Sequence, residues 1–133
     1  MRFLLTAVLL SVATVSVQAE TPTDFQNLYA AQAKQENPAF AGFSAEQGQR
    51  FYANTHGKEW SCATCHGRTP SAIGQHTATG KTIAPLAPAA NAERFTRPNK
   101  VEKWFKRNCN EVLDRPCTAQ EKGDLLAYLL TVR

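Results

Sequence analysis

The sequence predicts an all-α fold, helices and connecting loops wrapped round one prosthetic group. Apolar residues recur at helical spacing in four segments, three of them opened by a capping residue or capping box. The middle of the chain, residues 54–99, is rich in Gly, Pro, Thr and Ala and poor in helical period, and reads as loops and not strands. Within it, Ser61-Cys62-Ala63-Thr64-Cys65-His66 carries a C-x-x-C-H motif. In such a motif the two thiols, Cys62 and Cys65, add to the vinyl groups of a haem c as thioethers, and His66 supplies the proximal axial iron ligand. Two intervening residues let both sulfurs reach one porphyrin edge while the next side chain turns under the iron. A bare C-x-x-C would also serve as a redox dithiol or half a zinc site. The following histidine, an export signal and the lack of a second C-x-x-C weigh against both.

The elements follow in order. Arg2 and the apolar run Phe3 to Val17, ending Val17-Gln18-Ala19, predict a secretory signal peptide over residues 1–19, cleaved after Ala19. The run is short for a bilayer span, which needs about 20 residues, so an uncleaved anchor is the lesser reading and no membrane span is expected in the mature protein. Residues 20–43 are expected to form an N-terminal extension helix and residues 44–133 the haem domain. Thr23-Asp24 can cap the first helix, which carries Phe25, Leu28 and Tyr29 and ends before Pro38. Ser44-Ala45-Glu46-Gln47 is a capping box for a second, with Gly48, Phe51 and Tyr52. A third is expected from about Asn99 to Asn108, with Val101, Trp104 and Asn108 on one face. Thr118-Ala119-Gln120-Glu121 opens the last, with Leu125, Leu126, Tyr128, Leu129 and Leu130.

Charge and cysteines narrow the classes. The net charge of +4 loses one unit with the signal, an excess too weak and dispersed to indicate nucleic acid. It leaves room for a basic face that docks an acidic partner, or a plain solvated surface. Cys109 and Cys117 have no following histidine, so they are not a second haem site, and in an exported chain a disulfide is expected. So short a loop is worth about 2.5 kcal/mol by the chain-entropy argument.

Gly48-x-x-Phe51, the C-x-x-C-H motif and Asp124-Leu125-Leu126-Ala127-Tyr128-Leu129 together resemble a class I cytochrome c. That resemblance implies a helix before the motif crossing the last helix, with Gly48 letting the backbones approach against an aromatic. The plainer reading is a tolerated helix glycine, at a cost of about 1 kcal/mol. It also implies that the Pro85 carbonyl accepts a hydrogen bond from the Nδ1–H of His66; otherwise Pro85 and Pro88 only stiffen a loop.

Cytochromes of this class use a downstream methionine as sixth ligand. The one methionine is Met1, inside the signal, so the His/Met electron carrier is ruled out. The sixth position falls to His56, His76, a lysine, an amide, water or nothing. His76 follows the motif in a region expected to wrap the proximal side, and His56 precedes it near the expected haem edge; a surface position accounts for either.

The runs Thr79-Gly80-Lys81-Thr82-Ile83-Ala84-Pro85-Leu86-Ala87-Pro88, Arg94-Phe95-Thr96, Lys100-Val101-Glu102-Lys103-Trp104 and Arg107-Asn108-Cys109-Asn110 closely resemble the sphaeroides haem protein (SHP) family, high-spin periplasmic cytochromes c. So do Cys117-Thr118 and Glu121-Lys122-x-Asp124-Leu125-Leu126-Ala127, and the likeness runs from about Gly48 to Leu129. It implies that the Asn108 side chain is the distal axial ligand of oxidised iron and that Cys109 and Cys117 form a disulfide. The alternatives at that position are a helix C-cap at Asn108 and ligation by Asn110. Trp104 is placed either to line the haem surroundings or to be plain core. The resemblance further implies diheme cytochrome c and membrane cytochrome b partners, and O2, NO or CO as small ligands. The function expected is a periplasmic monohaem electron acceptor whose asparagine leaves on reduction so that the ferrous haem binds gas. A haem enzyme (a nitric oxide dioxygenase or a peroxidase, with His56 the sole candidate base) and a six-coordinate electron shuttle are the other classes.

Overall fold

A computed structural model describes residues 19–133 of the chain. The expected signal peptide, but for Ala19, lies outside the described residues. Among the described residues, five helices and one short hairpin follow in order: α1 Pro22–Glu36, α2 Ala45–Ala53, α3 Cys62–His66, β1 Gly74–Gln75, β2 Thr82–Ile83, α4 Pro98–Leu113 and α5 Ala119–Thr131.

Capping chemistry sets most of the boundaries. α1 starts earlier than expected, at Thr21, whose hydroxyl accepts from the Asp24 amide while the Asp24 carboxylate takes the Thr21 amide at 2.8 Å. Pro22 follows in the first turn, where a missing N–H costs nothing. At α2 the Ser44 hydroxyl accepts from Gln47 at 3.2 Å, but the Ser44 amide turns to Asp124 of α5 at 2.7 Å. The expected box is therefore completed by a second helix. α5 has the full box between Thr118 and Glu121.

α2 and α5 form the most extensive interhelix contact. A β-carbon at Gly48 would run into the Asp124 carbonyl and come within 2.9 Å of the Tyr128 Cβ. Gly48 is thus a crossing point and not a tolerated helix glycine. α1 lies against α5 as well: Gln26 Nε2 donates to the Gly123 carbonyl at 3.0 Å, and the Ala119 amide donates to Glu36 at 3.1 Å. Phe25, Tyr29, Tyr52, Phe95, Phe105, Leu125, Leu126 and Leu129 fill the core between these helices.

α4 is tied to that core by a charged network. The buried Tyr29 hydroxyl donates to Glu102 Oε1 at 2.8 Å, and Lys122 Nζ donates to Glu102 Oε2 at 2.6 Å. The same ammonium lies 5.4 Å from the Tyr29 ring and 5.5 Å from that of Phe105, so its charge is satisfied twice over. α4 also runs five residues beyond the expected end at Asn108, because Cys109 and Val112 face the core; Asp114, at φ 62°, stops it. Cys109 and Cys117 are disulfide-bonded, with Cα atoms 5.6 Å apart.

The middle segment departs from a pure loop. α3 is a single turn, and β1 pairs antiparallel with β2, Gly74 opposite Ile83 and Gln75 opposite Thr82. Gly80, at φ 66°, supplies the left-handed position that closes the hairpin, with its amide on the His76 carbonyl.

Candidate haem site

The motif turn is fixed by the two polar residues around its cysteines. Ser61 and Thr64 cap each other: the Ser61 amide donates to Thr64 Oγ1 at 2.9 Å and the Thr64 amide to Ser61 Oγ at 3.3 Å. One helical turn then carries Cys62, Cys65 and His66 at spacings of three and four, which share a face. Gly67 ends the turn at φ 78°, and its carbonyl accepts from the buried Tyr52 hydroxyl at 2.6 Å, which joins the motif to α2. Burial pushes the Cys62 thiol up to about 11. Burial, and then the nearby Arg94 charge, lower His66 to about 4, so its ring is a neutral donor.

The hairpin is seated on this turn. A β-carbon at Gly74 would run into the Cys65 carbonyl and lie 3.0 Å from the His66 Cα. Thr77 Oγ1 stands 3.4 Å from Cys65 Sγ. Beside them opens a cavity of about 640 Å³ lined by Cys65, Gly67, Ile73, Gly74, Gln75 and Thr77 among others, with Ile73 71% exposed at its edge. Two thiols outside any disulfide, a neutral imidazole on the same turn and an adjoining cleft with Ile73 at its edge fit a covalent haem.

On α4, Phe105, Cys109 and Val112 face the core, while Val101, Trp104 and Asn108 form the neighbouring stripe. Trp104 is 41% exposed, with the Arg107 guanidinium 5.4 Å from its ring, so it is not plain core. Asn108 is half-buried and lies inside the helix; Asp114 holds the C-cap, which removes the capping explanation. Asn110 is exposed, and its backbone carbonyl takes the Asp114 amide.

The other two histidines have partners of their own, and His56 is exposed, in line with the surface position expected for it. His56 Nε2 donates to the Phe51 carbonyl at 2.8 Å and its ring rests on that of Phe51, so it is folded back on the end of α2. His76 sits in the hairpin turn with Nε2 3.7 Å from Glu111 Oε1. It therefore links the hairpin seated on the motif turn to α4, one turn past Asn108. Pro85 departs from the expectation. No hydrogen bond joins it to His66 among the described residues; its carbonyl accepts from Arg94 Nε at 2.8 Å and Asn91 Nδ2 at 3.3 Å. Sequence reasoning gave no role to Arg94, Asn91, Gly74, Thr77 or Glu111. A glycine soon after the motif was the one available signal, for Gly74.

Residues 38–129 match the family described as "Domain of unknown function (DUF1924)". The chain is 51% identical over 98 residues to the cytochrome c-type protein SHP of Cereibacter sphaeroides, covering 71% of this chain and 75% of SHP. It is 41% identical over 99 residues to cytochrome c'' of Methylophilus methylotrophus, covering 71% and 69%. The structure of oxidised SHP, described as an oxygen-binding cytochrome c, superposes with a TM-score of 0.75 at 44% identity, over 85% of this chain and 98% of SHP. That of oxidised cytochrome c'' gives 0.75 at 37%, over 84% and 94%. A solution structure of cytochrome c'', which addresses haem-ligand detachment, gives 0.72 at 38%, over 83% and 92%. With this all-α cytochrome c-like fold built round the Cys62-Cys65-His66 turn, the chain belongs to the DUF1924 family alongside SHP and cytochrome c'', as a monohaem c-type cytochrome that holds one covalent haem c.

Proposed function

We propose that this is an exported, periplasmic cytochrome whose Asn108 side-chain oxygen ligates the oxidised iron as sixth ligand, with His66 as the fifth, and leaves on reduction so that O2, NO or CO can bind. The observation that carries the reading is the position of Asn108: mid-helix, half-buried, free of any capping duty, and one residue from a cysteine locked into the core. An amide oxygen is a neutral, fairly hard donor that suits ferric better than ferrous iron, so reduction weakens its hold. The haem, when bound, supplies the redox iron and the gas-binding position; the chain supplies the neutral His66, the Trp104 wall and the departing amide. Detachment of a haem ligand is the subject of a structure of cytochrome c'', and SHP is described as oxygen-binding.

The Cys109–Cys117 disulfide supports an oxidising compartment, as does the N-terminal apolar run. No helix among the described residues is long and apolar enough to cross a membrane. Electrons would come from diheme cytochrome c and membrane cytochrome b partners. The peroxidase alternative is not favoured by any observation at His56, whose Nε2 is bonded to the Phe51 carbonyl at the end of α2.

Absorption spectra of oxidised and reduced holoprotein, with and without NO or CO, test the proposal. Asn108→Ala is expected to keep the haem, change the ferric spectrum and speed ligand binding. An unaltered ferric spectrum with unaltered ligand kinetics would defeat the assignment.

A further inference from the structure

Arg94 is half-buried and clips two consecutive carbonyls of the loop after β2. Its Nε donates to Pro85 at 2.8 Å and its Nη2 to Ala84 at 2.6 Å. Asn91 Nδ2 brings a second donor to Pro85 at 3.3 Å. A carbonyl oxygen has two lone pairs, so both of those on Pro85 are engaged. That oxygen is the one a c-type proximal histidine would use to hold its Nδ1–H, and Pro85 lies two residues past Ile83, whose strand partner Gly74 is seated against the His66 Cα.

We infer that Arg94, helped by Asn91, is a positioning residue that sets the donor strength of His66. By occupying the Pro85 carbonyl it weakens the hydrogen bond open to the His66 Nδ1–H and keeps the ring from gaining imidazolate character. A hydrogen bond from the second ring nitrogen raises the basicity of a metal-bound imidazole, and a stronger donor favours the ferric state. The Arg94 arrangement works the other way, toward easier reduction and a weaker bond to His66. The inference rests on His66 being the fifth ligand, as proposed above.

The test uses exported holoprotein carrying Arg94→Gln, Arg94→Lys or Asn91→Ala. Its readouts are the ferrous iron–histidine stretching frequency and the ferric-to-ferrous ratio at fixed ambient potential. Arg94→Gln is expected to raise the stretching frequency and shift the ratio severalfold toward ferric. Asn91→Ala should shift both in the same direction by less. Arg94→Lys keeps the charge but loses the planar fork, so its frequency should rise as for Arg94→Gln while the ratio shifts less. An unshifted frequency in Asn91→Ala and Arg94→Lys overturns the inference, even if Arg94→Gln fails to accumulate. A wild-type ferrous protein that remains six-coordinate counts against the Asn108 reading instead. The ratio then decides for Arg94: a shift in both Arg94→Gln and Asn91→Ala supports it, and no shift in Asn91→Ala overturns it.

Discussion

The motif turn and α4 are held in opposite ways. α3 needs little beyond its own neighbourhood: the Ser61–Thr64 caps, the Gly67 stop, the Tyr52 hydroxyl and a glycine from the hairpin above it. α4 is held from a distance. Glu102 is secured by Tyr29 of α1 and Lys122 of α5, and Cys109 by Cys117 in the turn before α5. One side of the site is therefore fixed by local chemistry and the other by tertiary packing. A change at Tyr29, Lys122 or Cys117 is therefore expected to act on α4 first and on the motif turn less.

The largest effect should come from the local side. Cys62→Ala or Cys65→Ala is expected to abolish normal haem attachment, and mass spectrometry of the exported chain would show the missing haem increment. Next comes the tertiary side. Replacing Cys109 and Cys117 together by serine should leave the haem attached, lower stability by about 2.5 kcal/mol and alter ligand-binding rates. Denaturant melts and NO-binding kinetics on one preparation check both parts. Lost attachment in that variant would break the contrast between the two sides.

The smallest effect lies at the start of α5. Burial tends to raise the Glu121 carboxyl, but Arg115 and the Thr118 amide outweigh it and hold the group below the usual carboxylate range. Its stabilising effect is therefore full above that range and is lost as pH falls through it. Glu121→Gln should cost about 0.5 kcal/mol near neutrality and flatten the acid limb of the melting temperature between about pH 5 and about pH 3. Haem spectra should not change.

What the sequence made legible follows the same division. The motif, the Thr118–Glu121 box and the Gly48 crossing depend on residues close in the chain or on a glycine that marks a contact. The reach of α4 past Asn108 was hidden, since Asn108, Cys109 and Asn110 are indifferent helix formers and only the burial of Cys109 and Val112 carries the helix on. The start of α1 was misjudged by two residues because Thr21 and Thr23 offer the same chemistry and Pro22 decides between them. Arg94 was silent for another reason. Its partners are backbone carbonyls, which no side-chain pattern announces. The same holds for His76 and Glu111, brought together across 35 residues by the hairpin.

The disulfide at Cys109 has a consequence in time. Because Cys109 is 4% exposed and bonded to Cys117, the backbone next to Asn108 cannot unwind cheaply. Under the proposed reading, the amide then comes and goes by rotation about its own side-chain torsions. Exposed rotamers exchange in roughly picoseconds to nanoseconds and local unfolding takes about microseconds to seconds, so a half-buried amide that needs no unfolding moves well ahead of the latter. Departure and return of the amide would form a rapid pre-equilibrium, and an incoming gas would compete with a tethered ligand that is never far from rebinding. The observed uptake rate would then scale with the fraction of iron left bare, and a more weakly held amide would speed every gas by the same factor.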